Sequence, residues 1–188
     1  MRDINMTFRQ WVRIAPFAGY KIGRYTRPHF VGGVETPETL DGLTMGQLME
    51  LTTLPDKNES IYTVTRVVVG LTEGQTDRAR AVDVVRLVGW VASEAERING
   101  MFSKAEAKPT KQEEKAGIRG LRFGLFGMVD WYARRMGITN HDDVMAVPWL
   151  RVWRCMDMDN RTNAFARRLQ DVVNEEYRER NRMRRITH

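Results

Sequence analysis

The segment AGIRGLRFGLFGMVDWYARRM, residues 116–136, combines a helical pattern of apolar residues with an unusual row of glycines. The glycines recur at intervals of three, four and three residues, and they are Gly117, Gly120, Gly124 and Gly127. This spacing places them on one stripe of a predicted helix. Since each glycine inside a helix costs about 1 kcal/mol relative to alanine, four on one stripe predict that another backbone packs closely against them. We therefore expect a tightly packed helix, within the chain or across a dimer, with an exposed partner groove and a ligand site as the alternatives.

The composition is that of an ordinary globular protein. Of its 188 residues, 42% are hydrophobic and 29% are charged, which suffices for one domain with its own core. The single cysteine, Cys155, excludes an intramolecular disulfide and a cysteine-rich zinc site, which fits a reducing compartment. Charged residues interrupt both the first residues and the glycine-containing helix, so we expect neither a signal peptide nor a membrane span. The default expectation is a cytoplasmic protein.

The net charge of +6 is concentrated at the two ends of the chain. The arginines that carry it are Arg9, Arg13, Arg24 and Arg27 near the start and Arg178, Arg180, Arg182, Arg184 and Arg185 near the end. Basic ends on a slightly acidic body predict arms that contact an acidic partner, a nucleic acid or a neighbouring copy. For the C-terminal run, a solvated and frayed terminus is the alternative.

Residues 1–43 differ from the rest of the chain, because prolines and glycines interrupt a series of aromatic and basic residues. Prolines and glycines at this density disfavour helices. We predict an extended arm, with a short hairpin through residues 19–25, that lies on its own domain or on a partner. Aromatic residues among basic ones can also stack on single-stranded nucleic acid, but no signature of a nucleic-acid-binding fold accompanies them.

Capping-box patterns mark three helix starts, at Thr44, Thr72 and Thr110. The stretch SIYTVTRVVVGL, residues 60–71, is rich in β-branched residues, which favour a strand. Its apolar residues nevertheless keep helical spacing, and we predict a helix. The most regular amphipathic helix covers residues 81–102.

The C-terminal part predicts further helices. Gly137 is placed to end the glycine-containing helix, and Asn140 is placed to cap a short helix after it. In WLRVWRCM, residues 149–156, Trp149 and Trp153 lie on one side of a helix and predict a packing interface. A last helix is expected from about Arg161, with Asp159 or Asn160 as its cap.

The sequence as a whole predicts a mainly α protein: a bundle of about six helices behind an irregular, basic N-terminal arm. We expect one domain, divided into the arm at residues 1–43, helical halves at 44–103 and 116–180, a charged linker at 104–115 and a basic tail at 181–188.

Reactive side chains form no catalytic or metal-binding pattern in the sequence. Cys155 has no histidine nearby, and no serine occupies a nucleophile-elbow motif. His141 and the two aspartates after it resemble the corner of a metal site, but acids also favour a helix start. The stretch from Asp157 begins like a calcium loop and then places Arg161 and Thr162 where an acceptor and a glycine belong. We therefore predict a non-enzymatic protein with no catalytic residue, metal or cofactor.

Three segments resemble the small helical tail assembly chaperones of tailed bacteriophages. They are LTMGQLMELTTL (residues 43–54), VVVGLTEGQTDRARAVDVVRLVGWVASEAERI (residues 67–98) and DDVMAVPWLRVWRCMDMDNRTNAFARRLQDVVNEEY (residues 142–177). The resemblance implies a non-enzymatic protein of the host cytoplasm that binds the long helical tape measure protein during tail assembly. Its partners would be phage structural proteins, such as the tape measure or tail tube protein, or copies of itself, and no membrane.

Two other functions stay open on the sequence alone. One is a structural virion protein, such as a neck, ring or adaptor component, whose basic arm inserts into a neighbouring subunit. The other is a nucleic-acid-binding protein that uses both basic ends, which would bind DNA in a salt-dependent manner.

Overall fold

The computed structural model describes residues 6–18, 25–54, 59–105, 109–121 and 123–186. Within these ranges the chain is mainly α-helical, as the sequence predicts, with one small antiparallel sheet of two strands. The helices are α1 (Phe8–Ala18), α2 (Met45–Thr52), α3 (Glu59–Val69), α4 (Glu73–Arg78), α5 (Ala81–Ala105), α6 (Lys111–Lys115), α7 (Gly124–Met136), α8 (His141–Met145) and α9 (Trp149–Ile186). The strands are β1 (Phe30–Val31) and β2 (Val34–Glu35), and a 3-10 turn covers Ile118–Gly120.

The predicted helix starts at Thr44, Thr72 and Thr110 are confirmed, and each carries a complete capping box. At the first, the Thr44 hydroxyl accepts the Gln47 amide at 3.2 Å, and the Gln47 side chain accepts the Thr44 amide at 2.9 Å. Such reciprocal bonds satisfy amide groups that a helix leaves unpaired in its first turn. The stretch rich in β-branched residues is helical, as predicted, and forms α3. One face of α3 packs on α5, and this burial outweighs the preference for a strand.

The core is centred on α5, which packs against α1, α3, α9 and β1. Val84, Leu87 and Ile98 of α5 are completely buried. Their spacing of three and of eleven residues keeps them on one face of the helix, which is the apolar face that the sequence predicts. This face explains why elements from both ends of the chain converge on α5.

The start of α9 closes the core against the region before α2. Trp149 is completely buried, and its indole nitrogen donates a hydrogen bond to the Leu40 carbonyl oxygen at 2.8 Å, across 109 positions of sequence. The main chain is joined at the same place, because the Met45 amide donates to the Val147 carbonyl at 2.7 Å and the Trp149 amide to the Leu43 carbonyl at 3.1 Å. Trp149 is therefore a core residue that holds two distant parts of the chain together.

The prediction of an extended arm at residues 1–43 is wrong for the described residues of α1. This helix forms although it contains Pro16 near its C-terminal end. Phe8 is completely buried, stacks on Trp11 with ring centroids 5.6 Å apart and meets Tyr62 of α3 edge-on at 5.8 Å. Because these aromatic contacts reach the core, they outweigh the helix-breaking effect of one proline. The hairpin predicted at residues 19–25 lies, except for Tyr25, outside the described residues.

The glycine-containing segment is not one continuous helix, which corrects the prediction for residues 116–136. Gly117 has a φ of 84° and Gly124 a φ of 57°, in the left-handed region that favours glycine, so α7 begins only at Gly124. Apart from the adjacent residues and the helix's own backbone, no described atom lies within 4 Å of a Cβ built at Gly117, Gly120 or Gly124. These three glycines therefore provide turns and are not packed against another described part of the chain.

A Cβ built at Gly127 would lie 2.5 Å from the Phe123 Cβ, so the close neighbour there belongs to the same segment. Packing of the stripe against a second copy remains a prediction.

The last helix is longer than predicted. α9 runs without a break from Trp149 to Ile186, a length of about 57 Å at 1.5 Å per residue. The predicted helix start near Arg161 is therefore wrong, and residues 181–186 of the predicted basic tail are helical.

The residues expected to cap this helix have other partners. The Asp159 carboxylate binds Arg135 of α7, and the Asn160 side chain donates to the Ala105 carbonyl oxygen at 2.6 Å. Neither side chain therefore caps a helix start, and the main chain of α9 is helical through both residues. The charged linker predicted at residues 104–115 contains the end of α5 and the short α6.

Candidate protein-interaction surfaces

An exposed apolar surface lies at the start of α7 and in the turn before it. We call it the α7 face, and its residues are Ile118, Leu121, Phe123 and Phe126. The exposed fractions of Leu121, Phe123 and Phe126 are 63%, 72% and 61%. Single exposed apolar residues are common on proteins, but a group of large ones marks a site of interaction.

The α7 face is held by a helix that is fixed in the core. Val129, Tyr132 and Ala133 of α7 are buried, whereas the first turn of the same helix carries the exposed Phe126. The Phe126 ring meets the His141 ring of α8 edge-on, with centroids 5.2 Å apart. The Phe126 ring is therefore held by two packed helices, which lowers the entropy cost of binding a partner there.

A groove of about 640 Å³ runs along α7 beside this face. Its lining residues are Phe123, Phe126, Gly127, Asp130, Trp131, Arg134 and Arg135. Gly127 has no side chain, and the Phe123 ring occupies the space next to it. The groove therefore combines an aromatic end with a charged border, an arrangement that suits an amphipathic partner.

The charged residues of the border are paired with each other or with neighbouring helices. Asp130 accepts a hydrogen bond from Arg134, and its other oxygen lies 3.5 Å from His141 Nε2. The bond from Arg134 lowers the pKa of Asp130 below its usual value. Arg135 binds Asp159 of α9 through Nε at 2.9 Å and Nη2 at 3.0 Å, and this bond likewise lowers the pKa of Asp159. Both carboxylates therefore stay ionised at neutral pH, and the border stays polar.

α9 divides into an anchored part, residues 149–168, and a projecting part after it. In the anchored part, Trp149 and Val152 are buried, and Trp153 is half-buried against the same core. Further along, Arg167 Nη2 binds Glu113 Oε1 of α6 at 3.1 Å. The tryptophans predicted as a packing interface thus pack inside the chain.

The projecting part, which we call the distal segment, comprises residues 169–186. Every side chain described there is exposed except the half-buried Asn181. Its large apolar residues, all exposed, are Leu169, Val172, Val173, Tyr177 and Met183. Leu169, Val172 and Met183 lie on one stripe of the helix, because they are separated by three and eleven residues. An apolar stripe on a helix that no described element covers is a second candidate interaction surface.

The basic residues predicted as arms have different environments. Those exposed on α9 are Arg178, Arg180, Arg182 and Arg184, and those exposed on α1 are Arg9 and Arg13. The C-terminal arginines also complement the negative end of the helix dipole. Arg27 is half-buried, and its Nη1 donates to the Thr36 carbonyl oxygen at 2.7 Å, so it braces the chain beside β2. Arg24 and the side chain of Arg185 lie outside what the structure describes.

The sequence interpretation concentrated on the glycines and missed the aromatic residues between them. Phe123 and Phe126 are three residues apart, and the positive φ of Gly124 lies between them. In a continuous helix both rings would have been assigned to an ordinary apolar face. The available signal was the combination of large apolar residues with glycines, which also occurs in turns that expose side chains.

A metal site and a membrane-spanning helix have no structural support in the described ranges. Within them, no group of three or more His, Cys, Asp or Glu side chains is arranged to hold a metal ion. In the same ranges, no helix has the length and apolar character needed to cross a bilayer.

Comparisons of the chain with protein-family models, with curated proteins and with solved structures find no match.

Proposed function

We propose that the protein is a non-enzymatic assembly chaperone of a bacteriophage tail, acting in the host cytoplasm. Its client would be the elongated, helical tape measure protein, bound at the α7 face and the adjacent groove. The observation that carries this proposal is the pair of exposed rings at the start of α7, with Phe123 immediately before the helix and Phe126 in its first turn. The bacteriophage setting rests on the sequence resemblance of residues 43–54, 67–98 and 142–177.

The shape and chemistry of the groove favour a helical client. A helix that binds in a groove contributes apolar residues at steps of three and four, and it needs an aromatic-lined cleft with a polar rim. Phe123, Phe126 and Trp131 supply the aromatic lining, and Asp130 and Arg134 supply the rim. Because the rim charges are already paired, most of the affinity would come from apolar contact.

The proposal is tested by the binding of the tape measure protein of the same phage to the purified chain. The double variant Phe123→Ala/Phe126→Ala should weaken binding by about tenfold or more, because buried aromatic anchors dominate such interfaces. Phe165→Ala is the matched control, since Phe165 is equally exposed but lies on α9. Both variants should melt like the parent. Unchanged client binding by the double variant would exclude the α7 face as the client site.

A structural virion protein is the second candidate, and the length of α9 favours it. A helix that projects from its own core can insert between neighbouring subunits of a ring or adaptor. Mass spectrometry of mature particles separates the two functions, because an assembly chaperone is lost before maturation. Stoichiometric presence in particles, together with no binding to the tape measure protein, would replace the chaperone proposal.

A further inference from the structure

The distal segment of α9 consists of two halves with opposite charge. Residues 169–177 contain three carboxylates, at Asp171, Glu175 and Glu176, and no basic residue. Residues 178–186 contain five arginines and one carboxylate, Glu179. The dividing point, between Tyr177 and Arg178, is the midpoint of the segment.

We propose that the distal segment pairs with the same segment of a second copy, as two antiparallel helices around a two-fold axis at that midpoint. In this arrangement the acidic half of each helix faces the basic half of the other, and the favourable pairing occurs twice. A parallel pair would place acidic against acidic and basic against basic. Opposite charges beside a helical seam set the orientation of paired helices in this way.

The seam is defined by a heptad pattern. Positions 169, 172, 176, 179, 183 and 186 follow alternating steps of three and four residues, as the inner positions of a coiled coil do. Antiparallel pairing about the midpoint sets Val172 opposite Met183 of the other copy, and Leu169 opposite position 186. Leu169, Val172 and Met183 are exposed in the single chain, so this contact would cover apolar surface that is otherwise in water.

The charges beside the seam fit the same register. Glu175 and Arg182 occupy equivalent flanking positions, and the antiparallel arrangement brings Glu175 of one helix next to Arg182 of the other. Asp171 lies on the acidic half at the level of Arg184 on the facing basic half. The centre of the seam sets Glu176 of each helix opposite Glu179 of the other, and this like-charge contact weakens the pair. We therefore infer a concentration-dependent dimer that weakens as salt screens the charges.

A second copy fits these observations better than other occupants. A nucleic acid would be repelled by the carboxylates that occupy half of the segment. A uniformly acidic helix would be attracted by the basic half and repelled by the other. Only a partner with its charges in the reverse order satisfies both halves, and an antiparallel copy of the same segment is such a partner. The inference does not depend on the proposed client, whose site lies on α7.

The inference is tested on the full chain by sedimentation equilibrium over a range of concentrations and salt. The wild type should show a monomer–dimer equilibrium. Asp171→Arg/Glu175→Arg replaces two of the three carboxylates of the first half with arginines, and Arg182→Glu/Arg184→Glu replaces two of the five arginines of the second half with carboxylates; each variant alone should dimerise at least tenfold more weakly. A mixture of the two should form a heterodimer, and the variant with all four changes should dimerise with itself again. The melting curves of all variants should match that of the wild type, because all four side chains are exposed on the projecting helix.

Orientation is tested by cysteine cross-linking in a Cys155→Ser background. Val172→Cys on one copy should cross-link to Met183→Cys on another, and neither should cross-link efficiently to itself. A wild type that stays monomeric at all concentrations would overturn the inference. Efficient cross-linking between two Val172→Cys copies would also overturn it, because that result requires parallel helices. A DNA-induced mobility shift that Arg182→Glu/Arg184→Glu abolishes, without any dimer, would assign the segment to nucleic acid instead.

Discussion

The two parts of α9 share one unbroken helix but differ in what surrounds them. In the anchored part, Trp149 and Val152 are completely buried, and Asp159 and Asn160 bond to neighbouring helices. In the distal segment, apolar residues recur at similar spacing, yet all of them are exposed. The comparison shows that helical spacing predicts an apolar face but not its partner. That partner can be the chain's own core or another molecule.

The largest expected effect concerns the stability that the anchored part of α9 gains from burying Trp149. Trp149→Ala should destabilise the protein by about 3–5 kcal/mol, because it leaves a large cavity and removes the hydrogen bond to the Leu40 carbonyl. Tyr177→Ala, in the distal segment, should change stability by no more than about 0.5 kcal/mol. Urea unfolding followed by circular dichroism measures both. Equal losses would show that Tyr177 is covered in the folded protein.

The second prediction concerns the polar centre of the distal seam. Glu176→Leu/Glu179→Leu should strengthen dimerisation by about tenfold or more, since a tenfold change needs only about 1.4 kcal/mol and one buried leucine contributes about 1.5–3 kcal/mol. Gln170→Leu/Asn174→Leu adds the same apolar groups away from the seam, at two uncharged positions, and serves as the control. Sedimentation equilibrium gives the two dissociation constants. If both variants dimerise equally, the contact does not use the heptad positions.

The smallest expected effect concerns the ion pair between Arg135 of α7 and Asp159 of α9. Because Arg135 lowers the pKa of Asp159 in the folded state, this carboxylate contributes stability above its unfolded pKa of about 3.9 and loses it as the pH falls through the folded value. Asp159→Asn should therefore reduce stability slightly at neutral pH. The difference from wild type should vanish in acid, below the folded pKa. Thermal melts between neutral and acidic pH measure this difference in stability. A difference that grows in acid would contradict a stabilising ion pair between Arg135 and Asp159.

Local signals in the sequence predicted much of the fold. Thr44, Thr72 and Thr110 start helices as expected, because a capping box is a contact between near neighbours. α5 and α3 were also predicted, since each has one continuous apolar face. These features depend on residues within a few turns, which is the range over which helical periodicity carries information.

The features that the sequence did not predict depend on distant contacts or on backbone conformation. α1 contains Pro16, and its helix is stabilised by the contact of Phe8 with Tyr62, which local sequence does not show. Gly117 and Gly124 have the spacing of a helical stripe but adopt positive φ. For the candidate surfaces, the apolar residues were visible in the sequence, whereas their exposure was decided by which helices reach the core.

The hydrogen bond between Trp149 and Leu40 also bears on the order in which the protein folds during its synthesis. The region before α2 leaves the ribosome long before Trp149 does, and until then its partner for closing the core is missing. Native contacts of such long sequence separation form late, because ordering the intervening chain costs entropy first. The emerging chain therefore keeps apolar surface uncovered until Trp149 has been made. Protection from premature association during that interval would fall to the cell's general chaperones.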